Sequence, residues 1–332
     1  MNKKAIILFS GGLDSILAAR LMMELGIEIE AVHYYIDFAA CVGGDEGEAV
    51  KAAKMLGIPL KIFDITVEYL EMFKNPRYGY GSNINPCIDC KIFMFKKAKE
   101  YMASAGASFL VTGEVLGERP MSQRKDALSL IEKRAEVGGI LLRPLSAKLL
   151  EPTIPENEGV IDREKLLDIR GRSRKPQIEL AAKFGIKEYP NPAGGCLLTD
   201  PGFTNRVKDL IKHDKLTIEN LKLLKVGRHF RLLGSTKLVV GRDEDENKKL
   251  LALASAEDVL FKLKDRQGPI SLLRGKTDDE IIALAASIAV HHTKYRNEEK
   301  LDVNYWSGAG QADKKTIFTK PAPKEEVEKL RI

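Results

Sequence analysis

An apolar run at positions 5–9 ends on Ser10-Gly11-Gly12-Leu13-Asp14-Ser15, and an amphipathic stretch begins at once from residue 13. A short apolar run stopped by a glycine turn reads as a buried strand, and apolar spacing of three to four residues reads as a helix. Strand, glycine loop and helix in that order open a parallel unit, so the chain must go on alternating. It does. A helix over 13–25 closes on Gly26, a strand covers 27–35, and a helix over 46–56 closes on Gly57. A strand over 60–65, a helix over 91–103 and a strand over 108–112 continue the pattern. Such alternation predicts an α/β fold, a doubly wound parallel sheet with helices on both faces.

The loop itself is built for an anion. Gly11 and Gly12 let the backbone turn sharply and come close to a ligand, while Ser10 and Ser15 add hydroxyl donors. The start of the following helix offers unpaired N–H groups and the positive end of its dipole. Asp14 next to an anion suits a metal-bound phosphate; the same residues also make a good turn with an N-cap.

After Pro201 the pattern changes. Helices over 204–213 and 217–224 precede short strands at 230–232 and 237–241, then helices over 245–254 and 277–294 and strands at 301–306 and 316–319. This is an α+β pattern, and it divides the chain into residues 1–150, a basic linker over 151–200 with helices at 162–169 and 176–184, and a C-terminal domain over 201–332. The net charge of +6 is mild, yet it is unevenly placed. Residues 163–187 hold eight basic and three acidic side chains, with Arg170, Arg172, Arg174 and Lys175 grouped, and 204–237 hold nine and three. Two basic stretches in succession point to a polyanion partner. The densest apolar stretch, 281–290, is too short to span a bilayer, and residues 1–15 lack a cleavage site for a signal peptide. No membrane association and a cytoplasmic location are therefore expected.

Four cysteines stand at 41, 87, 90 and 196. Cys87 and Cys90 form Cys-x-x-Cys within Asn85-Pro86-Cys87-Ile88-Asp89-Cys90-Lys91, and Cys196 ends Asn191-Pro192-Ala193-Gly194-Gly195-Cys196. The spacing points to metal, redox or sulfur chemistry rather than to a secreted disulfide framework. Cys41 has no partner at useful spacing and reads as an ordinary residue near the loop.

Ser10 to Ser15 resembles the PP-loop, SGG-x-DS, of the ATP pyrophosphatases, which cleave ATP to AMP and pyrophosphate and share the adenine nucleotide alpha-hydrolase-like fold. Gly113-Glu114-Val115-Leu116-Gly117-Glu118-Arg119-Pro120-Met121-Ser122-Gln123 resembles the GE-xx-GQ-xx-SQ segment of tRNA 4-thiouridine synthetases, with Glu118 in place of Gln. The segment around Cys87 and Cys90 is similar to one shared by those enzymes and the tRNA 2-thiouridylases. Val226-Gly227-Arg228-His229-Phe230-Arg231 and Leu238-Val239-Val240-Gly241-Arg242, with the sequence that follows to the end, resemble the NFACT-R type of RNA-binding domain. The THUMP module that precedes the PP-loop in 4-thiouridine synthetases is not expected here, because the loop begins at residue 10.

The resemblance implies an ATP-dependent tRNA sulfurtransferase that makes a thiolated uridine, with Mg²⁺ and ATP at the loop. Ser10, Gly11, Gly12, Leu13 and Ser15 would cradle pyrophosphate, Asp14 would hold the metal, and Gly113 and Glu114 would lie beside the nucleotide. Adenine would be held by backbone near His33 and Tyr34. Lys91 and Arg119 are candidates for neutralising phosphate charge. Cys87, Cys90 and Cys196 provide three thiolates, which suits a 4Fe-4S cluster with one open iron. A cysteine persulfide on Cys90 or Cys196 is the competing route, and the sulfur donor is sulfide or a persulfide-carrying protein. Arg170, Arg172, Arg174, Lys175, Arg228, Arg231 and Arg242 would contact the tRNA backbone. A homodimer is compatible with this reading. Two rivals remain: an adenylating ligase acting on a small carboxylate, and an ATP-binding RNA-interaction factor without catalysis.

Overall fold

The structure, a computed structural model, describes residues 1–39, 46–192, 194–308, 310 and 313–332. Cys41 lies outside the described residues. The chain divides into two compact units, Met1–Asp200 and Pro201–Ile332.

The first unit begins β1 (Lys4–Leu8), α1 (Leu13–Glu24), β2 (Glu28–Tyr35), α2 (Glu46–Leu56), β3 (Leu60–Asp64). It continues α3 (Thr66–Lys74), α4 (Cys87–Ser104), β4 (Phe109–Thr112), α5 (Lys125–Ala135), β5 (Leu141–Leu142), α6 (Ile154–Asn157) and α7 (Lys175–Lys183). The strands form one parallel sheet in the order β3-β2-β1-β4-β5. β1 is central, paired with β2 from Lys4↔Glu28 and with β4 from Ala5↔Phe109, so its Ala5, Ile6 and Ile7 are wholly buried. A strand covered on both faces needs an unbroken apolar run, and that is what the sequence shows. One face packs Ile7, Phe9, Ile29 and Val111 against Ile16, Leu17 and Met22 of α1; the other packs Ile6, Val32 and Leu110 against Phe95 and Ala98 of α4 and Ile131 of α5. The expected α/β fold is thus present. Because the chain builds β1 to β3 on one side and returns to build β4 and β5 on the other, the order reverses between β1 and β4, and open sheets of this kind bind ligands at the strand ends there.

The 151–200 segment, expected as a linker, contributes Ile161, Leu166, Ala181 and Ile186 to the core on the α1 face. Its expected helix at 162–169 is only a single 3-10 turn, Arg163–Lys165. Beyond that turn the Leu167 and Ile169 amides donate to the Pro144 and Leu145 carbonyls, which ties the backbone to a neighbouring stretch instead of to itself.

The second unit comprises α8 (Pro201–His213), α9 (Ile218–Leu223), β6 (Arg228–Leu233), β7 (Thr236–Val240), α10 (Glu244–Leu253), β8 (Val259–Leu263), β9 (Ser271–Arg274), α11 (Asp279–His291), β10 (Leu301–Ser307), β11 (Lys315–Thr319) and α12 (Lys324–Leu330). Its strands form an antiparallel sheet ordered β11-β10-β8-β9-β7-β6. Phe230, Leu238, Phe261 and Leu273 face α11, while Val239, Leu260 and Leu272 pack with Leu223 and Leu250 on the other side. This is the expected α+β domain; β8 and β9, at its centre, were not foreseen. No helix among the described residues is long and apolar enough to cross a membrane.

Candidate functional site

The glycine loop joins β1 to α1 at the reversal point of the sheet. Gly12 is the N-cap of α1, and among the described residues no side chain caps that helix end. The amides of the first turn are therefore left for an outside acceptor. The Ser15 hydroxyl donates to the Gly12 carbonyl at 2.8 Å, and the Gly12 amide donates to Ser10 Oγ at 3.3 Å, so the loop is folded back on itself with Ser10 exposed. Gly11 has φ +76°, and a Cβ there would stand 2.7 Å from the Ala49 amide nitrogen of α2. Only glycine fits both the dihedral and the space.

Gly113, at the end of β4, lies against the same helix start. A Cβ on it would fall 2.5 Å from the Asp14 carbonyl, so its absence lets the two central strand ends converge. Glu114 follows, 2% exposed, with Lys91 Nζ at 2.6 Å and Arg143 Nε at 2.9 Å; Arg143 also pairs with Glu132. Burial pushes the Glu114 carboxyl up, but Lys91 and Arg143 outweigh it and hold the group below the usual carboxylate range. Arg143, 3% exposed beyond β5, was missed at the sequence level: it lies far along the chain from Glu114 and no motif marks it.

Asp14 Oδ1 is buried and has no hydrogen-bond partner among the described residues. Burial raises its carboxyl above the usual value, and Arg174, Gln177, Arg119 and Glu118 act against that rise. Glu118, 4% exposed, is pushed up to about 7 by burial and by the Asp14 charge. It accepts from Arg174 at 2.7 Å and from Gln177 at 3.3 Å, with Arg119 Nε at 3.5 Å. Arg174, expected to contact the tRNA backbone, is thus turned inward onto Glu118. Arg170, Arg172 and Lys175 are exposed.

His33 and Tyr34 are neighbours on β2 and so point to opposite faces. His33 is buried with Nδ1 2.9 Å from the Phe9 carbonyl, and its Nε2 has no hydrogen-bond partner among the described residues. Tyr34 stacks on Phe63 over the α4 face, and burial raises its hydroxyl pKa. The two side chains do not share one site.

Cys87 opens α4, and Cys90, three residues on, lies on the same helix face. Asn85 Nδ2 donates to Cys87 Sγ at 3.1 Å. Asp89 between them is buried and caps the turn before the helix, accepting the Arg77 and Tyr78 amides at 3.0 Å each. Asn83 Nδ2 donates to the Thr199 carbonyl at 2.7 Å, which ties the segment ahead of Cys87 to the one that carries Cys196. All three cysteines are half-buried. Among the described residues no three His, Cys, Asp or Glu side chains gather as a metal-binding group. Cys87, Cys90 and Cys196 are thus not gathered into one three-thiolate group of the kind a 4Fe-4S cluster needs.

In the second unit, Arg231 is only 13% exposed, paired with Asp209 and donating to the Ser235 carbonyl at 2.7 Å. Arg228 is half-buried and donates to the Gly241 carbonyl at 3.3 Å. Arg242 is 47% exposed, with one nitrogen on the Gly227 carbonyl at 2.8 Å.

Comparison with known proteins agrees with both resemblances read from the motifs. Residues 1–148 match the family model of the thiamine biosynthesis protein (ThiI), and residues 227–331 match that of the NFACT protein RNA binding domain. The chain is 33% identical over 121 residues to a tRNA-specific 2-thiouridylase MnmA of Syntrophotalea carbinolica, covering 34% of each chain. It is 24% identical over 248 residues to the MnmA of Pseudomonas fluorescens, covering 71% of this chain and 63% of the relative. It therefore spans less than two thirds of either relative's length. A solved 4-thiouridine synthetase–RNA complex with bound ATP aligns at 22% identity and a TM-score of 0.37, over 67% of this chain and 52% of that one.

Proposed function

We propose that this chain, a ThiI-type PP-loop domain followed by an NFACT-type RNA-binding domain, is an ATP-dependent tRNA sulfurtransferase that forms a thiolated uridine. Residues 1–200 supply the chemistry and residues 201–332 hold RNA. The observation that carries the reading is the uncapped start of α1 at the reversal of the sheet, with the Cys87 and Cys196 segments tied together in the same unit.

ATP phosphates bind at the amides of α1, framed by Ser10, Gly11, Gly12, Leu13 and Ser15. Mg²⁺ binds through one or two carboxylates together with substrate phosphates. The buried Oδ1 of Asp14, without a hydrogen-bond partner among the described residues, fits such an ion, which would neutralise phosphate charge there. A uracil carbonyl oxygen attacks the α-phosphorus and pyrophosphate leaves, which turns that oxygen into a good leaving group as AMP. Sulfur then attacks the same ring carbon and AMP departs with the oxygen. Both sulfide and a persulfide on Cys90 or Cys196 balance this second step; from the persulfide, a thiol must take up the remaining sulfur bond as a disulfide. Glu114 does not act as a proton donor here, because Lys91 and Arg143 hold it as a carboxylate; it fixes Lys91 beside the end of β4. The exposed Arg170, Arg172, Lys175 and Arg242 supply tRNA backbone contacts, with the half-buried Arg228 beside Arg242.

Pyrophosphate release measured with and without tRNA tests the reading. Release stimulated by tRNA, with a thiolated nucleoside found by mass spectrometry, is the expected result. Release stimulated by a small carboxylate instead identifies a ligase. ATP binding without turnover under either condition identifies a non-catalytic RNA factor.

A further inference from the structure

We propose that the second unit takes up an unpaired stretch of RNA on the sheet face opposite α11, with a base stacked on Phe318. This rests on the reading that residues 201–332 hold RNA, and it names the surface and the form of RNA. Phe318 is 68% exposed, the most exposed large apolar side chain among the described residues. Side chains alternate across β11, so Ile317 joins the core under α11 while Thr316 and Phe318 share the other face. On that face the layer of α9 and α10 reaches Leu260 and Trp306. The next row by register is Lys262–Asn304–Thr316, with Lys262 and Thr316 exposed, and the row after it pairs Asp302 with Phe318. The Thr316 hydroxyl donates to Asn304 Oδ1 at 2.8 Å, so those polar groups satisfy each other beside the bare ring.

Charge is arranged around the ring. Lys314 stands one step before Thr316 and Lys320 one step beyond Phe318 in the same alternation, and both are exposed. Lys314 Nζ sits 6.0 Å from the Trp306 ring centroid, which places that ammonium over this face. Lys262, Lys314 and Lys320 thus flank one aromatic ring, with Asp302 as the carboxylate among them. Lysines alone read as protection of an open sheet edge, and a single exposed apolar side chain is ordinary. Together they supply what a single strand needs, cations for its phosphates and a π face for a base. Duplex RNA keeps its bases stacked on one another, so it offers Phe318 nothing. This surface lies at the β11 edge of the sheet, whereas Arg228 and Arg242 belong to β6 and the end of β7 at the opposite edge. The two sets therefore contact different parts of the RNA.

Fluorescence anisotropy on the full chain, with a labelled oligouridylate of about ten nucleotides and an RNA duplex of similar length, tests the assignment. Phe318→Ala is expected to weaken oligouridylate binding by about ten-fold, with the salt slope unchanged and duplex binding within about two-fold of wild type. Phe318→Tyr keeps the ring and is expected to bind oligouridylate within about two-fold of wild type. Lys314→Gln combined with Lys320→Gln is expected to flatten the oligouridylate salt slope by about 1.4, from about 0.7 per phosphate contact. These side chains are exposed, so melting temperatures are expected to match the wild type. Oligouridylate affinity unchanged in Phe318→Ala overturns the proposal, as does equal weakening of oligouridylate and duplex, or equal weakening by Tyr and Ala. Unchanged RNA affinity with altered sedimentation identifies the face as a protein contact, and the proposal falls. A wild type that binds neither oligouridylate, duplex nor tRNA overturns the RNA reading of the second unit and this inference with it. A wild type that binds tRNA but not oligouridylate overturns this inference alone.

Discussion

Arg143 and Glu114 form an ion pair closed to water on both sides, Nε to Oε2 at 2.9 Å with each side chain no more than 2% exposed. It joins the end of β4 to the residue after β5. Two charges out of water hold only while both are present, and removing one strands the other. Arg143→Ala is therefore expected to destabilise the first unit by about 3–5 kcal/mol, and Arg143→Met with Glu114→Met to recover most of that loss. Chemical denaturation checks both; a single variant losing under about 1 kcal/mol would show that the pair is not dry.

The three glycines around the loop are expected to differ sharply. Gly113→Ala forces a Cβ to 2.5 Å from Asp14 backbone, and Gly11→Ala adds a left-handed φ to a clash with Ala49. Both must move helix starts, at about 1–3 kcal/mol, and both should lose nucleotide affinity by more than about ten-fold. Gly12→Ala meets only Ser10 Oγ at 3.3 Å and should cost little stability. Calorimetry with ATP and thermal melting rank the three; equal behaviour would contradict the packing described here.

What could be read beforehand was what is local. The β1–loop–α1 unit was legible because a five-residue apolar run, two glycines and a helical period all sit within twenty residues. α3 had the same kind of signal, with Thr66, Tyr69, Leu70 and Phe73 buried at helical spacing, and passed unread. β5 is two residues long and exists because Leu141 and Leu142 pair with Leu110 and Val111, a fact no local pattern carries. The helix expected at 162–169 fails for the converse reason: its amides find better acceptors at Pro144 and Leu145. The site divides in the same way. Its loop and cysteines were visible as motifs, whereas Arg143 at Glu114 and Arg174 at Glu118 are pairings that only the folded chain makes.

Lys237 places a pH dependence in the second unit. It is 5% exposed on β7, directly opposite Arg231 and Arg274 on the flanking strands, and Nζ has no hydrogen-bond partner among the described residues. Burial first, then the Arg231 charge, lowers its pKa to about 7, against partial relief from Asp209. The folded state thus binds fewer protons than the unfolded one between about pH 7 and the ordinary lysine value, so the lysine's destabilising effect fades as pH rises through that window. Below about 7 both states are protonated and the full penalty remains. Lys237→Met should stabilise the unit at pH 6.5 by on the order of 2–4 kcal/mol and by much less at pH 10. Urea denaturation at the two pH values decides it; a pH-independent gain would mean that the ammonium is not desolvated.

RNA binding should separate Arg242 from Arg231, although both lie in one basic stretch. Arg231 is spent on Asp209 and on the Ser235 carbonyl, whereas Arg242 keeps 47% of its side chain in solvent. Each phosphate contact releases condensed counterions and adds about 0.7–0.9 to the slope of log affinity against log salt. Arg242→Ala should lower that slope by about one half to one and weaken tRNA binding at every sequence alike. Arg231→Ala should leave the slope unchanged while costing about 1–3 kcal/mol of stability, because Asp209 loses its partner in a mostly buried setting. Fluorescence anisotropy with tRNA across about 50–200 mM salt measures the first, and denaturation the second. If Arg231→Ala flattened the slope and Arg242→Ala did not, the phosphate contact would belong to the buried arginine, and the Asp209 pair would have to open when RNA binds.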